Sequence, residues 1–396
     1  MKKTVVLYPG LAASHFIPMM QLGDVLLEEG YDVVVALIDA TMEHNIAFAA
    51  AVDRVASSKP AAVTFHKLPR IHDPPTVTND VNLLLGYFEM IRRYNEHLRE
   101  FLCSIPPRSI HAVILDSYSN IALDVTNKFG IPAYSFFASN ASALAVFLQL
   151  PWAHRAEGQP SFKELGDATV NFHGVPPMPA SLLEDPKTEI YRAVTNSLGK
   201  NLEAGGILVN TFASLEARAV AGLKDPHFLA ESGLTVPPVY CVGPLVEDAA
   251  ETKGKHECLK WLDEQPEHSV VFLCFGSLGN HSEMQLKEIA TGVERSGHRF
   301  LWRCSVIRQQ QKMNKVLMVE EIGIGVELAG WQHGLVKAEE LEAKVRLVME
   351  SEEGEQLRAR ETAHKEAADM VWKDGVGRRA WRLASSCQTW ARLDQI

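Results

Sequence analysis

The chain has 396 residues, of which 46% are apolar and 22% charged; that is too long for one ordinary core and too apolar for a disordered or fibrous chain, so two globular domains are expected. Its formal charge is −10, from 39 basic and 49 acidic residues, and no run of Lys and Arg is interleaved with aromatics, which excludes nucleic acid as a partner. The six cysteines, Cys103, Cys241, Cys258, Cys274, Cys304 and Cys387, are scattered without a C-x-x-C or a neighbouring His at ligand spacing, so the sequence calls for no metal site and a reducing, cytoplasmic setting is expected.

The first residues, two lysines and then an apolar run, resemble the start of a secretory signal, but Pro9-Gly10 interrupts that run after five residues. Thr4-Val-Val-Leu-Tyr8 instead predicts a strand, followed by a turn, a helix over 17–29 ended by Gly30, and a second strand at 32–38. That βαβ unit implies parallel strands with a right-handed crossover. Strands at 62–66, 112–115 and 133–137, separated by helices over 79–102 and 121–129, continue the pattern of a doubly wound α/β domain. The apolar run over 141–150 ends at Pro151, well short of the roughly 20 residues a bilayer requires, so no membrane span is expected. Residues 159–190 hold five prolines and read as loop; strands follow at 206–210 and 239–244, then an acidic, glycine-containing linker over 247–254. The domains are therefore expected at 1–245 and 246–396.

In the second half the periodicity predicts a helix at 258–262, strands at 269–275, 300–304 and 325–328, and helices over 283–296, 312–322, 337–350 and 353–372. Three strands are too few, since a doubly wound sheet usually has five or six. The shortage falls after the strand at 300–304, where only residues 305–311 stand before the next helix.

Two residues stand where open α/β sheets bind ligands, beyond the carboxyl ends of parallel strands. His15 follows the first strand and its Pro-Gly turn, and Asp116 ends the strand at 112–115. A carboxylate holding one imidazole nitrogen would orient the other as a general base; each residue could instead be local, His15 by packing and Asp116 as a cap for the turn that follows. Phe275-Gly-Ser-Leu-Gly279 lies between a strand and a helix, where free N–H groups and a hydroxyl suit a diphosphate, although a plain turn fits equally. It is neither a dinucleotide fingerprint nor a nucleophile elbow, which excludes an α/β hydrolase.

Together these residues carry a resemblance. Pro9-Gly10 with His15 and Pro18, Asp116, Phe136-Phe137, Gly-Ile-Leu-Val-Asn-Thr-Phe-Ala-Ser-Leu ending at Leu215, Val242-Gly-Pro-Leu245, Cys258-Leu-Lys-Trp-Leu-Asp263, the stretch from Val270 to Ser277 and His298-Arg-Phe-Leu-Trp302 occur in an order similar to that of the plant UDP-dependent glycosyltransferases acting on small lipophilic acceptors. The likeness runs over nearly the whole chain. It implies two Rossmann-like domains in the GT-B arrangement, the second truncated, with acceptor bound by the first and donor by the second. It also implies an inverting transfer in which His15 is the base, Asp116 its orienter, and Ser14, Gly276, Ser277 and Gln311 touch the donor. By the same resemblance the donor is a UDP-sugar acting as co-substrate, UDP-glucose on the strength of Gln311, with no further cofactor. The expected acceptor is a phenolic such as a flavonoid.

One part of the family pattern is absent. Relatives carry a long donor-binding box after the strand corresponding to 300–304, beginning Trp-x-Pro-Gln and closing on an acidic residue and Gln. Only the final Gln has a counterpart, Gln311, with Gln310 in the acidic position, so the sequence reads as internally deleted near 305–311, like a splice-type product. Trp331-Gln-His-Gly334 imitates the box at the wrong place. Losing three hydrogen bonds to the donor at about 1.5–3 kcal/mol each removes about 4.5–9 kcal/mol, which is about 10³ to 10⁶ in affinity. The resemblance therefore implies a weakly active or inactive transferase, or a non-catalytic product that binds acceptor or a full-length relative.

Overall fold

The computed structural model describes residues 3–38, 46–58, 63–75, 83–106, 109–154, 159–246, 257–274, 281–303, 310–373 and 375. The chain divides into two compact units, Met1–Glu247 with Ala368–Ile396, and Asp248–Ala367. The first is built on a sheet of seven strands: β1 (Thr4–Tyr8), β2 (Asp32–Ile38), β3 (Val63–Leu68), β4 (Ile110–Asp116), β5 (Ala133–Phe137), then β8 (Ile207–Val209) and β9 (Val239–Cys241) after a short antiparallel pair, β6 (Thr169–Val170) and β7 (Met178–Pro179). Their order is β3-β2-β1-β4-β5-β8-β9 and every neighbouring pair is parallel. The reason is visible in the strands themselves: Val5, Val6, Leu7 and Tyr8, like Ala112 to Leu115, are wholly buried, as sheets covered by helices on both faces require.

Helices α1 (Ala13–Glu28), α2 (Ile46–Ser58), α3 (Leu83–Ser104), α4 (Leu123–Lys128), α5 (Ala141–Ala153), α6 (Phe162–Leu165), α7 (Glu189–Gly199) and α8 (Ala217–Lys224) complete this unit. The expected strands are present, but two expectations need correction. Helix α1 begins at Ala13, not near residue 17, because Pro18 sits inside it and forfeits only one backbone bond, that to the carbonyl of Ser14. The stretch 159–190 is not simply loop: Ser161 and Glu164 form a reciprocal cap that starts α6, and Thr188 caps α7.

The second unit contains α9 (Glu257–Asp263), β10 (Val270–Cys274), α10 (Glu283–Ser296), β11 (Arg299–Arg303), α11 (Gln310–Val316), α12 (Ala338–Glu350) and, up to Ala367, α13 (Glu352–Lys373). Among the described residues its only strands are β10 and β11, a parallel pair in register from Val270 with Arg299 to Cys274 with Arg303. The strand expected at 325–328 does not form; those residues carry no regular structure, and a strand exists only through a neighbour's hydrogen bonds. Its core is small: Leu273, Ile289, Val293, Leu341 and Val345, joined by Val271, Trp302 and Leu328. Gly292 lets α10 and α12 meet, since a Cβ there would lie 2.7 Å from the Ala338 carbonyl oxygen. Phe272 and Phe300 are 57% and 40% exposed, an unusual state for parallel strands. The linker expected at 247–254 lies outside the described residues.

Candidate active site

In the first sheet the strand order reverses at β1, whose neighbours are β2 on one side and β4 on the other. The chain therefore leaves β1 and β4 toward opposite faces, opening a crevice beyond their carboxyl ends. The ladder between them closes at Tyr8 with Leu115, so the next residues are the crevice walls. From β1 the chain turns at Pro9-Gly10 and enters α1, placing His15 in its first turn; from β4, Asp116 is the last strand residue. The two side chains meet, His15 Nδ1 lying 2.8 Å from Asp116 Oδ2.

Asp116 is completely buried, while the His15 side chain is 21% exposed. A carboxylate accepts, so His15 donates from Nδ1 and Nε2 is left with its lone pair toward the crevice. Burial lowers the His15 pKa, but the Asp116 charge and hydrogen bond outweigh it and the net shift is upward. The other Asp116 oxygen, Oδ1, accepts from the Tyr118 backbone N–H at 3.0 Å and so also caps the 3-10 turn Ser117–Ala122. Asp116 thus both holds the His15 imidazole and caps the turn that follows.

The surroundings fix this geometry. The Tyr118 ring stacks on the His15 imidazole, centroids 5.1 Å apart and planes 25° from parallel. Gly10 packs against the carboxylate so closely that a Cβ would stand 2.8 Å from Asp116 Oδ1 and 3.2 Å from the Tyr87 hydroxyl. Burial and the nearby Asp116 charge push the Tyr87 pKa upward, keeping a neutral phenol. Sequence reasoning found His15 and Asp116 but not Tyr118, Tyr87 or the packing role of Gly10; an aromatic two residues past Asp116 was the one available signal.

The remaining candidates are placed as follows. Ser14 is exposed in the first turn of α1, beside His15. Gly276 and Ser277 lie outside the described residues. Gln311 falls in the first turn of α11. The imitation box at Trp331 is a 3-10 turn, Ala329–His333, whose Ala329 and Gly330 N–H groups are both held by Glu340. Among the described residues no three His, Cys, Asp or Glu side chains lie so as to share a metal ion, and no described helix is long and apolar enough to cross a membrane.

No family model matches the chain. Against individual proteins, it is 31% identical to phloretin 2'-O-glucosyltransferase of Pyrus communis, over 82% of this chain and 70% of that one. The chain belongs to the plant UDP-glycosyltransferase family. A second member, UDP-glycosyltransferase 88B1 of Stevia rebaudiana, is 36% identical over 75% of this chain and 65% of its own. Anthocyanidin 5,3-O-glucosyltransferase of a Rosa hybrid cultivar is 29% identical over 98% of both chains. That last alignment runs to 475 positions, 79 more than the 396 residues present here. Among solved structures, a UDP-glucosyltransferase from Polygonum tinctorium capable of glucosylating indoxyl superposes with a TM-score of 0.81 at 25% identity, covering 98% of each chain. Phytolacca americana UGT2, complexed with UDP-2fluoro-glucose and pterostilbene, gives 0.81 at 24%, over 97% of this chain and 99% of that one. The fold is accordingly the GT-B α/β fold of this family.

Proposed function

We propose that this protein transfers a sugar, glucose by preference, from UDP to a hydroxyl of a small phenolic acceptor with inversion, and that it does so slowly because most of the donor-binding segment of its family is missing. The observation carrying the transfer is the His15–Asp116 pair at the sheet's switch point, 2.8 Å apart with Nε2 left toward the crevice. His15 Nε2 takes the acceptor's hydroxyl proton as the oxygen attacks the anomeric carbon. The bond from that carbon to the UDP oxygen breaks on the opposite face, and UDP departs with the electron pair while Asp116 stabilises the imidazolium. Relatives named for anthocyanidin and phloretin glucosylation support the acceptor class. In this reading residues 1–245 hold the acceptor, with Ser14 also touching the donor, and residues 246–396 hold the donor through Gly276, Ser277 and Gln311.

The missing segment is supported by the length of the rose alignment, 475 positions against a 396-residue chain, and by only two strands among the described residues of the second domain where a full sheet is expected. Those same observations favour a second reading, an acceptor-binding product without turnover. Titration of UDP-glucose into the full chain, with glucosylation of phloretin measured beside it, separates the two. Slow turnover that falls about 10²- to 10⁴-fold in His15→Ala is the expected result. Acceptor binding with no turnover at millimolar UDP-glucose would leave the second reading.

A further inference from the structure

Resting on the proposed transfer chemistry, we propose that the Tyr87 hydroxyl is a positioning group for His15, a brace from outside the two loops that holds the base against Asp116. The need for one follows from the ladder. Beyond the pairing of Tyr8 with Leu115 no β1–β4 hydrogen bond remains, so the separation of the two loops must be set by side chains. Asp116 joins them directly and the Tyr118 ring lies on His15, but both groups belong to the loops they join and would move with them.

Tyr87 comes from α3, a 22-residue helix anchored through the buried Met90, Ile91, Tyr94 and Leu98. Its hydroxyl is hydrogen-bonded to Ser119 Oγ at 3.0 Å on the β4 side and packs against Gly10 on the β1 side, where a Cβ would stand 3.2 Å from it. Ser119 is fully buried. Removing the hydroxyl therefore leaves the buried Ser119 hydroxyl without this partner and opens the contact with Gly10, so the loops shift to close the gap. The ring itself packs edge-on to Phe88 and Tyr118, so Tyr87→Phe deletes the brace while keeping the packing. The groups facing His15 and its carboxylate are Asp116, Tyr118 and Tyr87, and no other titratable side chain is needed to read the result.

The test compares Tyr87→Phe, Ser119→Ala and the double variant in the full chain. The His15 titration midpoint is read by NMR with labelled histidine, assigned through His15→Gln; kcat and KM for phloretin, and Tm, are measured alongside. The brace predicts a His15 midpoint moved down toward the ordinary imidazole value and kcat about tenfold lower with acceptor KM within about twofold. It also predicts a double variant no worse than Tyr87→Phe alone, because both remove one link. A native midpoint and native kcat in Tyr87→Phe overturn the proposal, whatever Tm does. Should the unaltered chain turn over nothing, the transfer reading fails, and the His15 midpoint still decides the brace.

Discussion

At the level of single residues the site turns on which imidazole nitrogen is occupied. Because Nδ1 donates to Asp116, in the proposed transfer the proton would arrive at Nε2, and the base would work only when that nitrogen is free. The upward shift of His15 therefore places the acid limb of the rate above the ordinary imidazole value near 6.5, with activity lost as pH falls through it. Asp116→Asn removes the charge that raises the pKa and leaves burial to lower it. That limb should move to lower pH while the plateau falls about 10²- to 10⁴-fold, as a pH–rate profile on both proteins would record. The pair was legible in sequence because each member follows a strand whose period is unambiguous. Tyr87 was not, since nothing local to helix α3 reveals that one of its phenols ends between two distant loops.

Among elements, the α/β alternation of the first unit could be read directly from its apolar runs. What escaped was decided by partners that no local pattern displays. The helix expected from residue 17 starts at Ala13 instead, since one proline early in a well-buried helix costs less than the burial of Phe16, Met19 and Met20 returns. Residues 325–328 have strand-like composition but no neighbouring strand to bond. Glu216 was passed over too, though it is 1% exposed and gives both carboxylate oxygens to the start of α5, Oε2 to Ala141 N–H at 2.8 Å and Oε1 to Ser142 N–H at 2.9 Å. The carboxylate there satisfies N–H groups that a helix start leaves open and complements its dipole. Glu216→Gln turns one of those acceptors into a donor and should cost about 1.5–3 kcal/mol, seen in urea unfolding as a lower midpoint at unchanged slope.

At the scale of the whole molecule the two units are unequally built. A seven-stranded parallel sheet whose central strands are buried on both faces forms the core of one; two strands with Phe272 and Phe300 in solvent, over a core of a few side chains, are described in the other. Local opening should therefore be easier in the second unit, with faster amide exchange along β10 than along β1 or β4. Exposed phenylalanines on open strand edges also favour self-association. Phe272→Thr with Phe300→Thr should raise the concentration at which the protein stays monodisperse in light scattering, and shift stability by no more than about 0.5 kcal/mol per site. The His15–Asp116 contact has a consequence at this scale as well, because its members are 101 residues apart and meet only in the folded chain. A base whose folded pKa is raised binds its proton more tightly when folded, so this contact adds stability below the unfolded pKa and loses that contribution as pH rises through the folded one. Protonation thus ties β1 to β4 at the very pH where the proposed transfer would be switched off, and each return to the unprotonated form would give up part of that hold.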